Sequence, residues 1–208
     1  MKPYNPLEKE NLGKSVALSL MRQPMVSLAE ISRFRGAGIY AIYYSGQFPA
    51  YKPIALLNLN LPGQEVPIYV GKGIPKGGRK GIVDGDEAER SSSLSGRLLD
   101  HRKSIEQADN LELSDFQCRY LFVDDIWIPL GESLLIQRFL PVWNTLVEGF
   151  GNHDPGKGRY KGAKPLWDLL HPGRPWAEKC DPQSVQISEL LARIEAHWSN
   201  QVAREPLT

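Results

Sequence analysis

Cysteine is nearly absent from this chain of 208 residues: Cys118 and Cys180 are the only two, they lie far apart, and neither belongs to a CxxC or Cys/His cluster. A thiolate zinc site is thereby excluded, and two free thiols are predicted. Long apolar runs are missing as well. No stretch reaches the roughly 18 to 20 residues that cross a bilayer, and the start MKPYNPLEKE lacks the basic-then-apolar layout of a secretory leader. The expected compartment is the cytoplasm, with no membrane partner. Internal repeats and low-complexity tracts are absent too. Nor does one sign of charge dominate: 25 Lys and Arg against 24 Asp and Glu leave a formal net charge of +1. Bulk charge therefore neither demands nor forbids nucleic acid, and placement has to decide.

What is present suits a folded protein: 41% hydrophobic and 24% charged residues can bury one sizeable core, so a single domain is expected over residues 1–208. Charge placement is uneven. Residues 72–80 (KGIPKGGRK) hold Lys72, Lys76, Arg79 and Lys80 without an acid, and residues 157–164 (KGRYKGAK) hold Lys157, Arg159, Lys161 and Lys164 likewise. Two glycine-rich basic loops suit a polyphosphate backbone, although a merely solvated loop accounts for either one alone. The first does not form a nucleotide-binding P-loop, because no GxxxxGK followed by Ser or Thr occurs there.

Periodicity supplies the coarse structure. Residues 7–23 fit an amphipathic helix, and Ser27 with Glu30 forms a capping-box pattern for a short second one. GIYAIYY (38–44) and VPIYVG (66–71) read as strands, separated by an insertion at 45–66 that a tight hairpin does not need. A helix follows from Ser93 or Ser95 to about Ala108, with Leu94, Leu98 and Ile105 on its apolar face. FQCRYLFVDDIWI (116–128) reads as a third strand and residues 131–140 as a helix ended by Pro141. Residues 184–198 read as a closing helix capped by Ser184. This order implies an α+β fold, a small three-stranded mixed or antiparallel sheet flanked by helices, with helical extensions at 1–37 and 145–208.

The two strands carry Gly38-Ile39-Tyr40 and Tyr69-Val70-Gly71. After them come Arg97 and His101 on one helix, Glu132 on a later helix, and Asn144 beyond it. This ordered set resembles the GIY-YIG nucleases, over a core at 38–144. The wider pattern, with GFGNHDPGKGR (149–159) and WDLLHPGRPW (167–176), resembles the type II restriction endonucleases built on that module. The resemblance implies Mg²⁺-dependent hydrolysis of double-stranded DNA at a short, GC-rich palindrome by a homodimer, with a cognate methyltransferase as functional partner. One Mg²⁺ per active site, replaceable by Mn²⁺, is implied. Other GIY-YIG roles, in repair or homing, and an inactive DNA-binding protein of the same fold are the alternatives.

The residues suit the chemistry. Arg97 and His101, four apart on a helix, share a face and can converge on one phosphate. Glu132 is the one acid in the set, a hard oxygen ligand suited to a single Mg²⁺; Asp124 and Asp125 lie outside the motif. Tyr40 is expected to take the proton of water, although a free tyrosine near pKa 10 is a poor base. Lys72 and His101 can lower its pKa or relay its proton, and whether Tyr40 or His101 is the base stays open. Tyr69 is expected to hold water or phosphate, Arg97 to stabilise the transition-state charge, and Asn144 to fix the phosphate or Glu132. Lys76, Arg79, Lys80, His153 and Lys157 are candidate DNA contacts, with Arg159 and Arg174 as candidate base readers.

Overall fold

The computed structural model describes residues 5, 8–61, 63, 65–75, 91–156, 158 and 160–201. Its centre is the run GIYAIYY. These seven residues are β-branched, aromatic or small, suit an extended backbone, and are all buried as strand β2 (Gly38–Tyr44). β2 pairs antiparallel with β3 (Tyr69–Gly73) on one side and with β4 (Phe116–Phe122) on the other. A two-residue strand, β1 (Val26–Ser27), adds to the outer edge of β4, giving the order β1-β4-β2-β3. The fold is therefore α+β, with an open antiparallel sheet of four strands where three were expected. Two residues carry no period, so β1 leaves no trace in a pattern search.

The sheet is covered on both faces, which is why β2 is continuously apolar instead of alternating. Ile39, Ala41 and Tyr43 face α1 (Lys9–Met21) and α4 (Ile128–Phe139), packing with Leu20, Ile128 and Leu135. Tyr40, Ile42 and Tyr44 face the larger core. Its contributors include Leu94, Leu98 and Ile105 of α3 (Ser93–Gln107) and the aromatics Phe116, Trp143, Phe150 and Trp167.

The insertion at 45–66 is a built element. A 3₁₀ turn (Pro49–Tyr51) leads into α2 (Lys52–Asn60). Asn58 bonds the Tyr44 and Val66 carbonyls through Nδ2, at 2.8 and 3.1 Å, and accepts from the Val66 N–H at 2.8 Å, fastening the two ends together. Tyr51 is fully buried. Its hydroxyl accepts from Trp143 Nε1 (2.8 Å) and lies 2.7 Å from His171 Nε2, while His171 Nδ1 meets Asn110 Oδ1 at 2.9 Å. Burial holds the His171 imidazole neutral, its pKa pushed down to about 3.

Several boundaries differ from the sequence expectations. β4 stops at Phe122; Asp124 Oδ1 then accepts from the Ile126 N–H, turning the chain into a 3₁₀ segment (Asp125–Trp127) that leads into α4. Pro129 sits in the first turn of that helix, where a missing N–H costs little. Ser27 makes no side-chain cap, and Leu28–Glu30 is only a 3₁₀ turn. Short helices α5 (Val142–Thr145) and α6 (Leu166–Leu170) follow. The last helix, α7 (Ile187–Gln201), begins three residues after Ser184 and buries Leu190, Ile194 and Trp198.

Candidate active site

The site gathers at the free edge of β3. Tyr40 lies opposite Gly71 in the ladder, and its ring crosses over that residue: a Cβ on Gly71 would sit 2.4 Å from the Tyr40 hydroxyl. Only glycine permits this crossing. The hydroxyl lands 2.6 Å from Nε2 of His101, and the two side chains are 0% and 1% exposed. α3 brings Arg97 and His101 to one face, one turn apart, as their spacing predicted. Tyr69 stands edge-on to His101, with ring centroids 4.9 Å apart, and Phe150 stacks on His101 at 4.4 Å and 17° while meeting Tyr69 edge-on at 5.0 Å.

Burial governs the protonation of this pair. It drives the Tyr40 pKa well above 10, with Tyr69 adding to the effect and Arg97 opposing it. It drives the His101 pKa well below 6.5, helped by the positive charge of Arg97. At neutral pH the phenol therefore keeps its proton and the imidazole is uncharged, and the direction of their hydrogen bond is set by the His101 tautomer. The two groups are hydrogen-bonded to each other in a buried environment.

Glu132, one turn into α4, approaches the same edge from the opposite face of the sheet. Its Oε2 lies 2.5 Å from Lys72 Nζ, and its charge is felt at both Tyr40 and Tyr69. The Glu132 side chain keeps 18% of its surface exposed. Arg97 thus joins the buried phenol–imidazole pair on one face of the sheet, while the partly exposed Glu132 carboxylate, paired with Lys72, acts on the phenols through its charge.

Comparison with known families gives a match over residues 32–198, most of the chain, to the family described as the Eco29kI GIY-YIG domain, a group of type II restriction endonucleases. The chain belongs to this family. A search of curated proteins finds no match. As a GIY-YIG restriction endonuclease, the protein has DNA as its substrate and the phosphodiester bond as its point of attack. The family implies a divalent metal, and Glu132 fits one: a hard carboxylate oxygen, partly open to solvent, whose charge reaches Tyr40 and Tyr69. Among the described residues no group of three or more His, Cys, Asp or Glu forms a metal cage, so water and phosphate oxygens would complete the shell of a metal held here.

Other residues of this GIY-YIG site sit differently from expectation. Asn144 is engaged with the main chain: its amide accepts from the Val70 N–H and donates to the Val70 carbonyl, both at 2.8 Å. It clamps the outer edge of β3 between Tyr69 and Gly71. Lys76, Arg79, Lys80, Lys157 and Arg159 lie outside the described residues. His153 is exposed, and its Nε2 accepts a bond from Arg97 Nη1.

Arg174, expected to read bases, is 1% exposed. It forms a two-armed ion pair with Asp168, stacks against Trp167 and Trp176, and donates to the carbonyls of Gly149 (2.9 Å), Phe150 (3.1 Å) and Asn152 (3.2 Å). A guanidinium so engaged cannot reach a groove. Removing one partner of such a pair leaves the other charge buried. Arg174→Met should therefore cost roughly 3–5 kcal/mol of stability, read as a lower Tm, without broadening the sequences that are cut. A variant of normal Tm with relaxed specificity would return Arg174 to the DNA interface. Phe150 and Gly151 were missed because the recognisable module ends at Asn144; the glycine-rich string GFGNHDPG was the available signal.

Proposed function

We propose that this protein is a type II restriction endonuclease that hydrolyses both strands of duplex DNA at a short palindrome, GC-rich by resemblance, as a Mg²⁺-dependent homodimer. The observation that carries the reading is the buried 2.6 Å pair of Tyr40 and His101, with Arg97 acting on both groups. In the proposed reaction, water loses a proton to the Tyr40 oxygen while the Tyr40 proton moves to His101 Nε2. The water oxygen bonds to phosphorus, and the bond from phosphorus to the leaving oxygen breaks. Arg97 stabilises the charge that grows on the phosphoryl oxygens, and Tyr69 orients the phosphate or the water. Lys72 orients Glu132, which would hold the metal. Mg²⁺ bound there supplies polarisation of a phosphoryl oxygen and support for the leaving oxygen, with Mn²⁺ able to substitute. Asn144 positions the β3 edge.

Lys76, Arg79, Lys80 and Lys157 are proposed as phosphate contacts and Arg159 as a base reader, extending the 38–144 core through the 145–208 segment. One centre cuts one strand, so a two-fold dimer suits a two-fold site. A methyltransferase protecting the same site is the implied functional partner, and the cytoplasm the implied compartment. No helix among the described residues is long and apolar enough to cross a membrane.

Digestion of a long DNA of known sequence, with Mg²⁺ or with EDTA, tests the reading. Discrete Mg²⁺-dependent fragments whose sequenced ends share one palindrome are expected. A smear or single nicks would point to a repair-type nuclease, and shifted but intact DNA to a binding protein.

A further inference from the structure

The chain just beyond the recognisable module closes over the catalytic side chains. Gly149, Phe150 and Asn152 are fastened through their carbonyls by Arg174, itself locked to Asp168. From that anchored segment Phe150 stacks on His101, and the Gly151 carbonyl accepts from Arg97 Nη2 at 3.2 Å. Gly151 also lies so close to the site that a Cβ there would stand 2.8 Å from the Tyr69 hydroxyl and 3.2 Å from Arg97 Nη2. His153 completes the set: Nε2 accepts from Arg97 Nη1, and Asp100 Oδ2 lies 3.9 Å from that same nitrogen. Both terminal nitrogens of one guanidinium are thus bonded by a single anchored loop.

A side chain 60% exposed is poorly suited to a packing role, and His153 meets Arg97, the cation proposed to face the reacting phosphate. A DNA-contacting histidine would be expected to turn both ring nitrogens outward. This one spends Nε2 on Arg97.

We propose that His153 is a positioning residue for catalysis: with the Gly151 carbonyl it fixes the plane of the Arg97 guanidinium, so that the remaining N–H groups are aimed at the scissile phosphate before DNA arrives. An unrestrained arginine has several rotamers and would have to be ordered in the transition state. The assignment rests on the nuclease reading above for what Arg97 does, but not for the contact itself.

Two measurements decide it. Two-bond ¹H–¹⁵N spectra of the free protein read the His153 tautomer. An acceptor at Nε2 requires the Nδ1–H form, whereas an imidazole free in water prefers Nε2–H. An Nε2–H spectrum overturns the proposal whatever the enzyme does. Single-turnover cleavage then reads the consequence. His153→Ala should slow the chemical step roughly tenfold, within the range of coupling inside one hydrogen-bond network, with DNA affinity unchanged; His153→Gln, which keeps an acceptor at similar reach, should recover most of the loss. In an Arg97→Lys background the same His153→Ala change should have no further effect. Weaker DNA binding at a normal chemical rate, or a His153→Ala penalty that persists without Arg97, overturns the assignment. Failure of the unmodified protein to cut DNA would instead overturn the nuclease reading, and the tautomer would still decide this one.

Discussion

Glu132→Ala is expected to reduce Mg²⁺-dependent cleavage by at least about 10³-fold, the scale on which a single transition-state electrostatic contact acts, while leaving the protein folded and able to bind DNA. The two halves of that expectation have separate causes. The carboxylate contributes little to the fold, because its partner Lys72 is 36% exposed and an ion pair so open to water is worth about 0–1 kcal/mol. The alanine variant should therefore melt within a degree or two of its parent. Its loss to catalysis is far larger, because Glu132 is the acid proposed to hold the metal, and its charge reaches Tyr40 and Tyr69. Melting, DNA retention in EDTA and cleavage in Mg²⁺, measured on one preparation, separate these effects. Unchanged cutting would remove Glu132 from the metal site, and lost binding would make it part of the DNA surface.

The same contrast explains what could be read from the chain without its fold. Tyr40, Tyr69, Arg97, His101 and Glu132 were legible as a group because each sits on a regular element and their order along the chain is a pattern in itself. Leu94, Leu98 and Ile105 announced the buried face of α3 by spacing alone, and β2 announced itself as a strand by its β-branched and aromatic residues. Arg174 was misread because an arginine between Gly173 and Pro175 looks like surface charge; its burial depends on Asp168, six residues earlier, which only α6 brings to face it. Asn144 was misread for a related reason. Its position beside the motif suggested a ligand to phosphate or carboxylate, whereas its two amide atoms serve the backbone of Val70, a pairing of residues 74 positions apart. Contacts of this kind, between side chains and distant main chain, leave no periodicity.

Tyr40→Phe tests the proton path most directly, because it removes one oxygen from a ring that is otherwise packed on every side. The rate of the chemical step should fall by about 10²- to 10⁴-fold, the usual weight of a general base. Stability should drop by only about 1–3 kcal/mol, since His101 Nε2 loses its hydrogen-bond partner in a dry environment. The pH profile of kcat/KM, which reports the free enzyme, then separates the two candidate bases. Burial keeps His101 neutral down to well below its ordinary value, so its ability to receive the Tyr40 proton persists above that depressed pKa and is lost only as the pH falls through it. The acid limb of the unmodified enzyme should accordingly lie well below pH 6.5. A limb at the ordinary imidazole value would assign the titration to a group open to solvent, and full activity in Tyr40→Phe would leave His101 or bulk water to take the proton directly. If instead both Tyr40→Phe and His101→Ala are slow, and the double variant is no slower than either alone, the two act as one unit. That is the behaviour a 2.6 Å bond between a raised phenol and a depressed imidazole requires, because neither has a working partner once the other is gone.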